Sequence, residues 1–191
     1  MPALGLPPSV SNNLKKMPMR KSYLLVIAIF ILSSCGVTLQ TFVQPDLTKT
    51  YINPLILIPY EKHQTANFAK NLKGSFEEVF KINNQKLEVL LVETSKEYPS
   101  INSSYENENK INYAISNDEK DLIIVFKLTR LEYYKGGLQK ASYQLTGIDL
   151  ETQIEVWEAS FSSSGLFGPS TFANSSAQKI FQKLKEDKIL K

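Results

Sequence analysis

A strand–helix–strand pattern between residues 54 and 92 limits the possible folds of this 191-residue chain more than any other feature. Four aliphatic residues, 55–58, lie between Pro54 and Pro59, in a run that is too short for a buried helix but suits a strand covered on both faces. A second apolar run follows at residues 87–92. Between the runs, apolar residues recur at helical spacing: Phe68, Leu72, Phe76, Val79 and Phe80. This order predicts a right-handed βαβ crossover with parallel strands.

Three further strands are predicted in the second half of the chain. Residues 122–128 carry apolar side chains at every even position, and residues 141–145 alternate between apolar and polar side chains. The segments 134–137 and 149–152 are rich in the residues that favour turns. In the third strand the apolar positions change parity near Val156-Trp157, which predicts either a β-bulge or burial on both faces.

The predicted fold class is α+β. A βαβ unit is followed by a three-stranded antiparallel meander and a C-terminal helix that begins near Ser175, and the helices pack on one mixed sheet. The polar segment 97–109 is expected to be an exposed loop, with a short helix at residues 111–115 behind it. We expect residues 51–191 to form a single globular domain.

The N-terminal segment has the features of a bacterial export signal. Four basic residues precede ten uncharged residues at positions 23–32, and this stretch is shorter than the roughly 20 residues that cross a bilayer. Small residues follow, and Leu32-Ser33-Ser34-Cys35 closely resembles the lipobox of bacterial lipoproteins. That resemblance implies cleavage before Cys35 and attachment of acyl chains to its thiol and new amino group. These acyl chains on Cys35 would anchor the protein to the membrane.

This interpretation divides the chain and changes its charge. Residues 1–34 are a signal peptide whose true start is Met1, Met17 or Met19, and residues 35–50 are the lipidated cysteine and a tether. The signal holds four of the 22 basic residues and none of the 19 acidic ones, so its removal changes the net charge from +3 to −1. Without an excess of basic residues, we predict no nucleic-acid partner.

Catalytic residue sets are missing from the sequence. His63 is the only histidine and Cys35, the predicted lipidation site, the only cysteine, so the sequence offers no thiolate–imidazole pair and no zinc cluster, and it shows no pattern typical of a catalytic triad. Glu155 and Glu158 are the nearest paired carboxylates, but residues three apart on a regular strand point to opposite faces, unless a bulge intervenes. We therefore predict no enzymatic activity, no catalytic residues, no metal site and no cofactor.

Two apolar segments are candidate contacts with a partner. Leu166 and Phe167 lie in a turn-rich loop at residues 165–169, and Tyr133 and Tyr134 lie at the tip of the predicted hairpin. Large apolar side chains in such positions either cap the core or form an exposed surface that touches a partner or lipid.

A second resemblance concerns the mature domain. An aspartate in a turn that leads to a tryptophan, here Asp149 and Trp157, and the tail Asp187-Lys188-Ile189-Leu190 resemble small outer-membrane lipoproteins. These include lipoprotein activators of cell-wall synthases, a lipoprotein of the curli secretion pore and the lipopolysaccharide-assembly lipoprotein. The resemblance implies binding or scaffolding. In enteric lipoproteins, an aspartate directly after the lipidated cysteine retains the protein in the inner membrane. Here Gly36 follows Cys35, so the resemblance favours the outer membrane over the inner membrane.

Three functions are consistent with these features. The first is a membrane-anchored, non-enzymatic lipoprotein that binds or scaffolds an envelope protein partner on the periplasmic side. The second is a carrier of a lipid or other apolar ligand, which requires a cavity lined by Phe68, Phe76, Phe80 and Trp157. The third is a hydrolase, which requires a pocket that brings His63 together with a serine and a carboxylate.

Overall fold

The computed structural model describes residues 36–94, 105–117, 119–135, 137–164 and 169–191. The elements in chain order are β1 (Gly36–Val43), β2 (Pro54–Tyr60), α1 (Ala66–Ile82), β3 (Glu88–Glu93), α2 (Tyr105–Asn117), β4 (Leu122–Tyr134), β5 (Gly137–Asp149), β6 (Glu155–Ser164) and α3 (Pro169–Glu186). Within the described residues, six strands form one mixed sheet in the order β1-β6-β5-β4-β2-β3. The predicted α+β class, with helices packed on a mixed sheet, is confirmed.

The predicted βαβ unit is formed by β2, α1 and β3. β2 pairs in parallel with both β3 and β4, so it lies inside the sheet. Its side chains alternate between two separate apolar clusters, with Ile56 and Ile58 in one and Leu55 and Leu57 in the other. Burial on both faces explains why this strand has a continuous apolar sequence.

The two faces of the sheet are covered unequally. Helices α1 and α3 pack together over one face, where the larger apolar cluster contains most of the aromatic side chains. On the other face, α2 contributes Ile111 and Ala114 to a smaller cluster with residues of β2, β3 and β4. No helix among the described ranges packs on that face of β1, β6 and β5, and none is long and apolar enough to cross a bilayer.

Residues 36–43 belong to the segment for which the sequence predicts a tether, yet they form the edge strand β1. All eight residues pair antiparallel with β6. Val37, Leu39 and Val43 pack on the larger apolar cluster, with the period of two that is typical of a half-buried strand. Lys179 Nζ of α3 adds a 2.7 Å hydrogen bond to the Val37 carbonyl. The tether prediction is therefore wrong for this segment, because β6 offers it a partner strand.

Of the two alternatives predicted near Val156-Trp157, the structure has the bulge, and the bulge decides which faces Glu155 and Glu158 occupy. Gly147 pairs with Trp157 and Ile148 pairs with Glu155, which leaves Val156 as the extra residue. Glu158 lies opposite residue 146 and Glu155 opposite residue 148, two positions that share a face of β5. The two carboxylates therefore lie on the same face of the sheet, because the bulge is the exception to the opposite-face rule for a regular strand.

The predicted loop at 97–109 is corrected in its second part. Residues 95–104 lie outside the described ranges, but α2 begins at Tyr105, six positions before the expected short helix. Glu106 and Glu108 lie in its first turn, where acidic side chains interact favourably with the helix dipole. Glu106 also forms an ion pair with Lys110, one turn later. These local interactions stabilise a helix whose polar sequence resembles that of a loop.

Candidate functional site

One end of the sheet joins the start of β1 to the β4–β5 hairpin. Gly36 pairs with Ser164, Ser164 pairs with Lys140, and Lys140 pairs with Glu132. Because paired residues lie side by side on adjacent strands, these four residues form one row across the sheet, which we call the terminal row. Cys35, the predicted lipidation site, lies outside the described residues but precedes Gly36 directly in the chain. The predicted anchor and the hairpin therefore share one end of the sheet.

The tip of the hairpin extends past the terminal row. Tyr133 pairs with Leu138 and Tyr134 pairs with Gly137, and Lys135 occupies the turn in a left-handed conformation with a φ of 48°. Each strand residue adds about 3.4 Å, so the tip projects about 7–10 Å beyond the row. Among the described residues of the hairpin, those of the turn predicted at 134–137 therefore lie furthest from the terminal row.

The two tyrosines at the tip have different surroundings. Tyr133 is 45% exposed, and its pKa is raised by partial burial and by the nearby carboxylate of Glu61. Tyr134 is 64% exposed, and Lys135 Nζ lies 5.4 Å from the centre of its ring. Tyr133 therefore rests partly against the domain, whereas Tyr134 presents an amphipathic ring beside a positive charge.

Positive charge predominates along this hairpin. Residues 130–140 contain three basic side chains and one acidic side chain. The Glu132 carboxylate is 3.0 Å from Arg130 Nε and 3.4 Å from Lys140 Nζ, while Lys135 lies further out at the tip. One carboxylate faces two cations, so the hairpin keeps a net charge of about +2 near neutral pH.

The other two predicted contact residues lie in a segment that follows β6 in the sequence. Leu166 and Phe167 fall in residues 165–168, which are outside the described ranges. That segment directly follows Ser164, a member of the terminal row. In the sequence, Cys35 directly precedes one member of this row, the segment 165–168 directly follows another, and Tyr133-Tyr134 directly follow Glu132, the member in β4.

A buried polar cluster that sequence reasoning missed surrounds Asp149. Its carboxylate accepts hydrogen bonds from Tyr51 Oη at 2.8 Å and from the backbone N–H groups of Glu151 and Thr152, and it lies 2.8 Å from Lys49 Nζ. Burial alone would raise the pKa of Asp149, but these donors outweigh burial and hold its pKa well below the ordinary value. Two of the donors, Lys49 and Tyr51, lie about 100 residues before Asp149, so the only signal for this cluster in the sequence is the aspartate of the predicted turn.

The interior expected for an apolar ligand is filled by side chains. The residues predicted to line the cavity are each at most 1% exposed: Phe68, Phe76, Phe80 and Trp157. Phe76 packs edge-on against Phe126 at a centroid distance of 5.9 Å, and Phe80 packs against Phe181 at 4.9 Å. Rings at these distances are in contact, so they form a packed core instead of a cavity wall. The expected cavity is therefore contradicted at these four residues.

His63, the only histidine, is exposed in the turn before α1, as the sequence predicts for a surface histidine. The described residues hold no group of three or more histidine, cysteine, aspartate or glutamate side chains placed to bind a metal. A shallow depression of about 200 Å³ lies on the uncovered face between β1, β6 and β5, where it is bordered by Gln40, Phe42, Gln144 and Ser160.

Comparisons with known proteins agree on the fold only. No protein-family profile matches the chain, and no curated protein matches it. The chain is similar to a PelC protein from Paraburkholderia phytofirmans solved as a dodecamer, with a TM-score of 0.50 and 13% identity over 82% of this chain and 99% of that one. The hypothetical protein CT253 from Chlamydia trachomatis aligns with a TM-score of 0.41 and 8% identity, over 71% of this chain and 98% of that one. At such identities the PelC match indicates a shared arrangement of elements, and it leaves the function to be argued from this chain's own residues.

Proposed function

We propose that this protein is a lipid-anchored, non-enzymatic component of the bacterial cell envelope that binds or scaffolds an envelope partner. The observation that carries this proposal is the lipobox-like sequence Leu32-Ser33-Ser34-Cys35, which follows a basic segment and a short apolar run as in an export signal. Cleavage before Cys35 would leave β1 in the mature chain, so Gly36 could still pair with Ser164. A domain that keeps this edge strand after processing supports Cys35 as the point of attachment.

The arrangement of polar and apolar side chains supports binding over catalysis. The core is filled, His63 is exposed, and the described carboxylates form no metal-binding group. The side of β1, β6 and β5 that no described helix covers offers an exposed surface, on which Phe42 is 61% exposed. PelC, which shares the fold, is a dodecamer, so assembly with further copies is one form of scaffolding to be tested. The identity of the residue after Cys35 favours the outer membrane.

Metabolic labelling with radioactive palmitate tests the anchor. We expect the wild-type chain to be labelled and processed, and Cys35→Ser to lose the label and accumulate as precursor. Ser34→Ala is the matched control, because it keeps a small residue before the cysteine and should be processed normally. Labelling of Cys35→Ser at the wild-type level would contradict the proposal.

Site-specific photo-crosslinking in intact cells tests the partner. A crosslinking side chain placed at Phe42, on the uncovered sheet face, or at Phe167 should give a discrete adduct with an envelope protein or a second copy. The same probe at the exposed Ile82, at the end of α1, is the control position. If Phe42 and Phe167 give no more adduct than Ile82, the scaffolding proposal is wrong at both surfaces.

A further inference from the structure

We propose that the tip of the β4–β5 hairpin contacts the surface of the bilayer to which Cys35 is attached. The domain would then stand on the membrane with its terminal row facing the lipid. This inference rests on the lipid anchor proposed above, and it adds which end of the domain meets the membrane and which side chains touch it.

The first step is that one peptide bond joins Cys35, the proposed anchor, to a residue paired in the sheet. Gly36 already pairs with Ser164 in the terminal row, and adjacent Cα atoms are about 3.8 Å apart. A flexible tether of about 16 residues could hold the domain tens of ångströms from the membrane. Because the strand starts one residue after Cys35, the acyl chains hold the terminal row itself at the membrane surface.

The second step is the reach of the hairpin. Its tip projects about 7–10 Å past the terminal row, as the pairing of Tyr133 and Tyr134 with β5 requires. The polar interfacial zone of one leaflet is about 5–8 Å deep, since a bilayer is about 40–45 Å thick around a hydrocarbon core of about 30 Å. The hairpin extends past the row on the side where Cys35 is attached, so Tyr134 and Lys135 are placed to reach the lipid headgroups.

The third step is the chemistry of the tip. Tyrosine is enriched at membrane interfaces, because its ring is apolar and its hydroxyl remains hydrated. Tyr134 is mostly exposed, and Lys135 can extend its ammonium group to lipid phosphates. The net positive charge of residues 130–140 is complementary to anionic lipids. A lipid surface therefore fits the position of the hairpin tip, the amphipathic ring of Tyr134 and the positive charge of the hairpin.

Other exposed apolar side chains provide internal controls. Phe42 lies six residues along β1 from Gly36, or about 20 Å from the terminal row, and Ile154 precedes the opposite end of β6. Both are at least half exposed. If the domain stands on its terminal row, neither of them reaches the lipid, although their exposure is similar to that of Tyr134.

The test measures depth in vesicles of phosphatidylethanolamine and phosphatidylglycerol that hold the full lipidated chain. Lipidation blocks the thiol of Cys35, the only native cysteine, so Tyr134→Cys, Lys135→Cys, Phe42→Cys and Ile154→Cys each provide one free thiol for a fluorophore. We expect lipids with a nitroxide on the headgroup to quench the label at positions 134 and 135 at least threefold more than at positions 42 and 154.

Equal quenching at all four positions would overturn the inference. Quenching at position 134 only after an envelope protein is added would also overturn it, since the hairpin would then touch a protein. Mass spectrometry of the N-terminal peptide separates this result from failure of the anchor. A lipidated Cys35 without quenching at 134 or 135 refutes the membrane contact alone, whereas a Cys35 without acyl chains refutes the anchor and this inference together.

Discussion

The Tyr51 hydroxyl donates a 2.8 Å hydrogen bond to the buried carboxylate of Asp149, which lies 98 positions later in the chain. The backbone of Tyr51 is held as firmly, because its N–H donates to the Ile189 carbonyl at 2.8 Å and its carbonyl accepts from Lys191 N–H at 3.1 Å. One residue thus links the segment after β1 to both the β5–β6 turn and the C-terminal tail. These contacts close the end of the sheet opposite the terminal row.

Tyr51→Phe should destabilise the protein by about 1–2 kcal/mol, because the buried Asp149 carboxylate loses one of its donors. Tyr143→Phe is the matched control. Tyr143 is also buried, but its hydroxyl has no hydrogen-bond partner among the described residues, so its removal should leave stability unchanged or raise it. Urea unfolding followed by the fluorescence of Trp157, the only tryptophan, measures both variants. Equal losses in the two variants would refute the assigned contribution of the Tyr51 hydroxyl.

Stability should fall when the solution is acidified, partly through Asp187. Burial alone would raise the pKa of this carboxyl, but hydrogen bonds from Lys183, Trp157 and Thr41 outweigh burial and lower it. A group whose pKa is lower in the folded state stabilises the fold above its unfolded pKa of about 3.9, and this contribution is lost as pH falls through the folded value. We therefore expect the free energy of unfolding to decrease below about pH 5.

Asp187→Asn separates this effect from the other carboxylates. The amide oxygen can still accept from Trp157 Nε1, but the charge that pairs with Lys183 is gone. The variant should be less stable than wild type at pH 7, and the difference should shrink toward pH 3. Glu77→Gln is the control, because its ion pair with Lys73 is exposed and such pairs contribute little to stability. A constant difference between Asp187→Asn and wild type from pH 7 to pH 3 would show that its carboxyl does not titrate as expected.

Substitution by alanine should change the stability of the protein in opposite directions at two glycines. A Cβ on Gly147 would lie 3.2 Å from the Cβ of buried Trp157, beside the bulge at Val156, where the backbone cannot yield easily. We expect Gly147→Ala to cost about 1–3 kcal/mol. Gly74 is exposed in the middle of α1, and a Cβ added there would have open space on every side, so Gly74→Ala should gain about 0.5–1 kcal/mol. Denaturant unfolding of both variants tests the signs, and the same sign in both would contradict the packing at Gly147.

Removal of β1 should harm both stability and solubility. A chain that starts at Gln44 loses the burial of Val37, which alone is worth about 2 kcal/mol, and exposes the edge of β6 along the eight residues that pair with β1. A chain that starts at Gly36 is the matched control. Size-exclusion chromatography and urea unfolding should show aggregation and a lower midpoint for the shorter chain only. Identical behaviour of the two chains would restore the tether interpretation of residues 36–43.

Local periodicity explains which elements could be predicted. The crossover from β2 to β3 was predictable because Ile56 and Leu57 are buried on opposite faces and the helix between the strands has a strong apolar stripe. β1 was missed because its three core-facing residues, Val37, Leu39 and Val43, alternate with polar ones in a stretch next to the lipobox. Only the edge that β6 offers makes that weak alternation a strand.

The candidate site was predictable in its parts and not in its assembly. The turn sequence alone predicts that Tyr133 and Tyr134 lie at a hairpin tip, and the structure places both at that tip. Their proximity to the start of β1 depends on the pairing of four strands, from Gly36 to Glu132, which no local pattern encodes. The Asp149 cluster was missed for the same reason, because its donors at Lys49 and Tyr51 are about 100 residues away in the sequence.

The attachment of β1 to β6 also determines how the domain responds to mechanical force. Hydrogen bonds between antiparallel strands run perpendicular to the strand axis. A pull on the chain at Gly36 along that axis therefore loads all eight β1 pairs in shear at the same moment, where a pull across the strand would peel them apart singly. Lys179 Nζ stabilises the end of β1 where the force enters, because it donates a hydrogen bond to the Val37 carbonyl. Tension that enters at Gly36 is thus shared by the whole ladder and passed through β6 into the centre of the sheet.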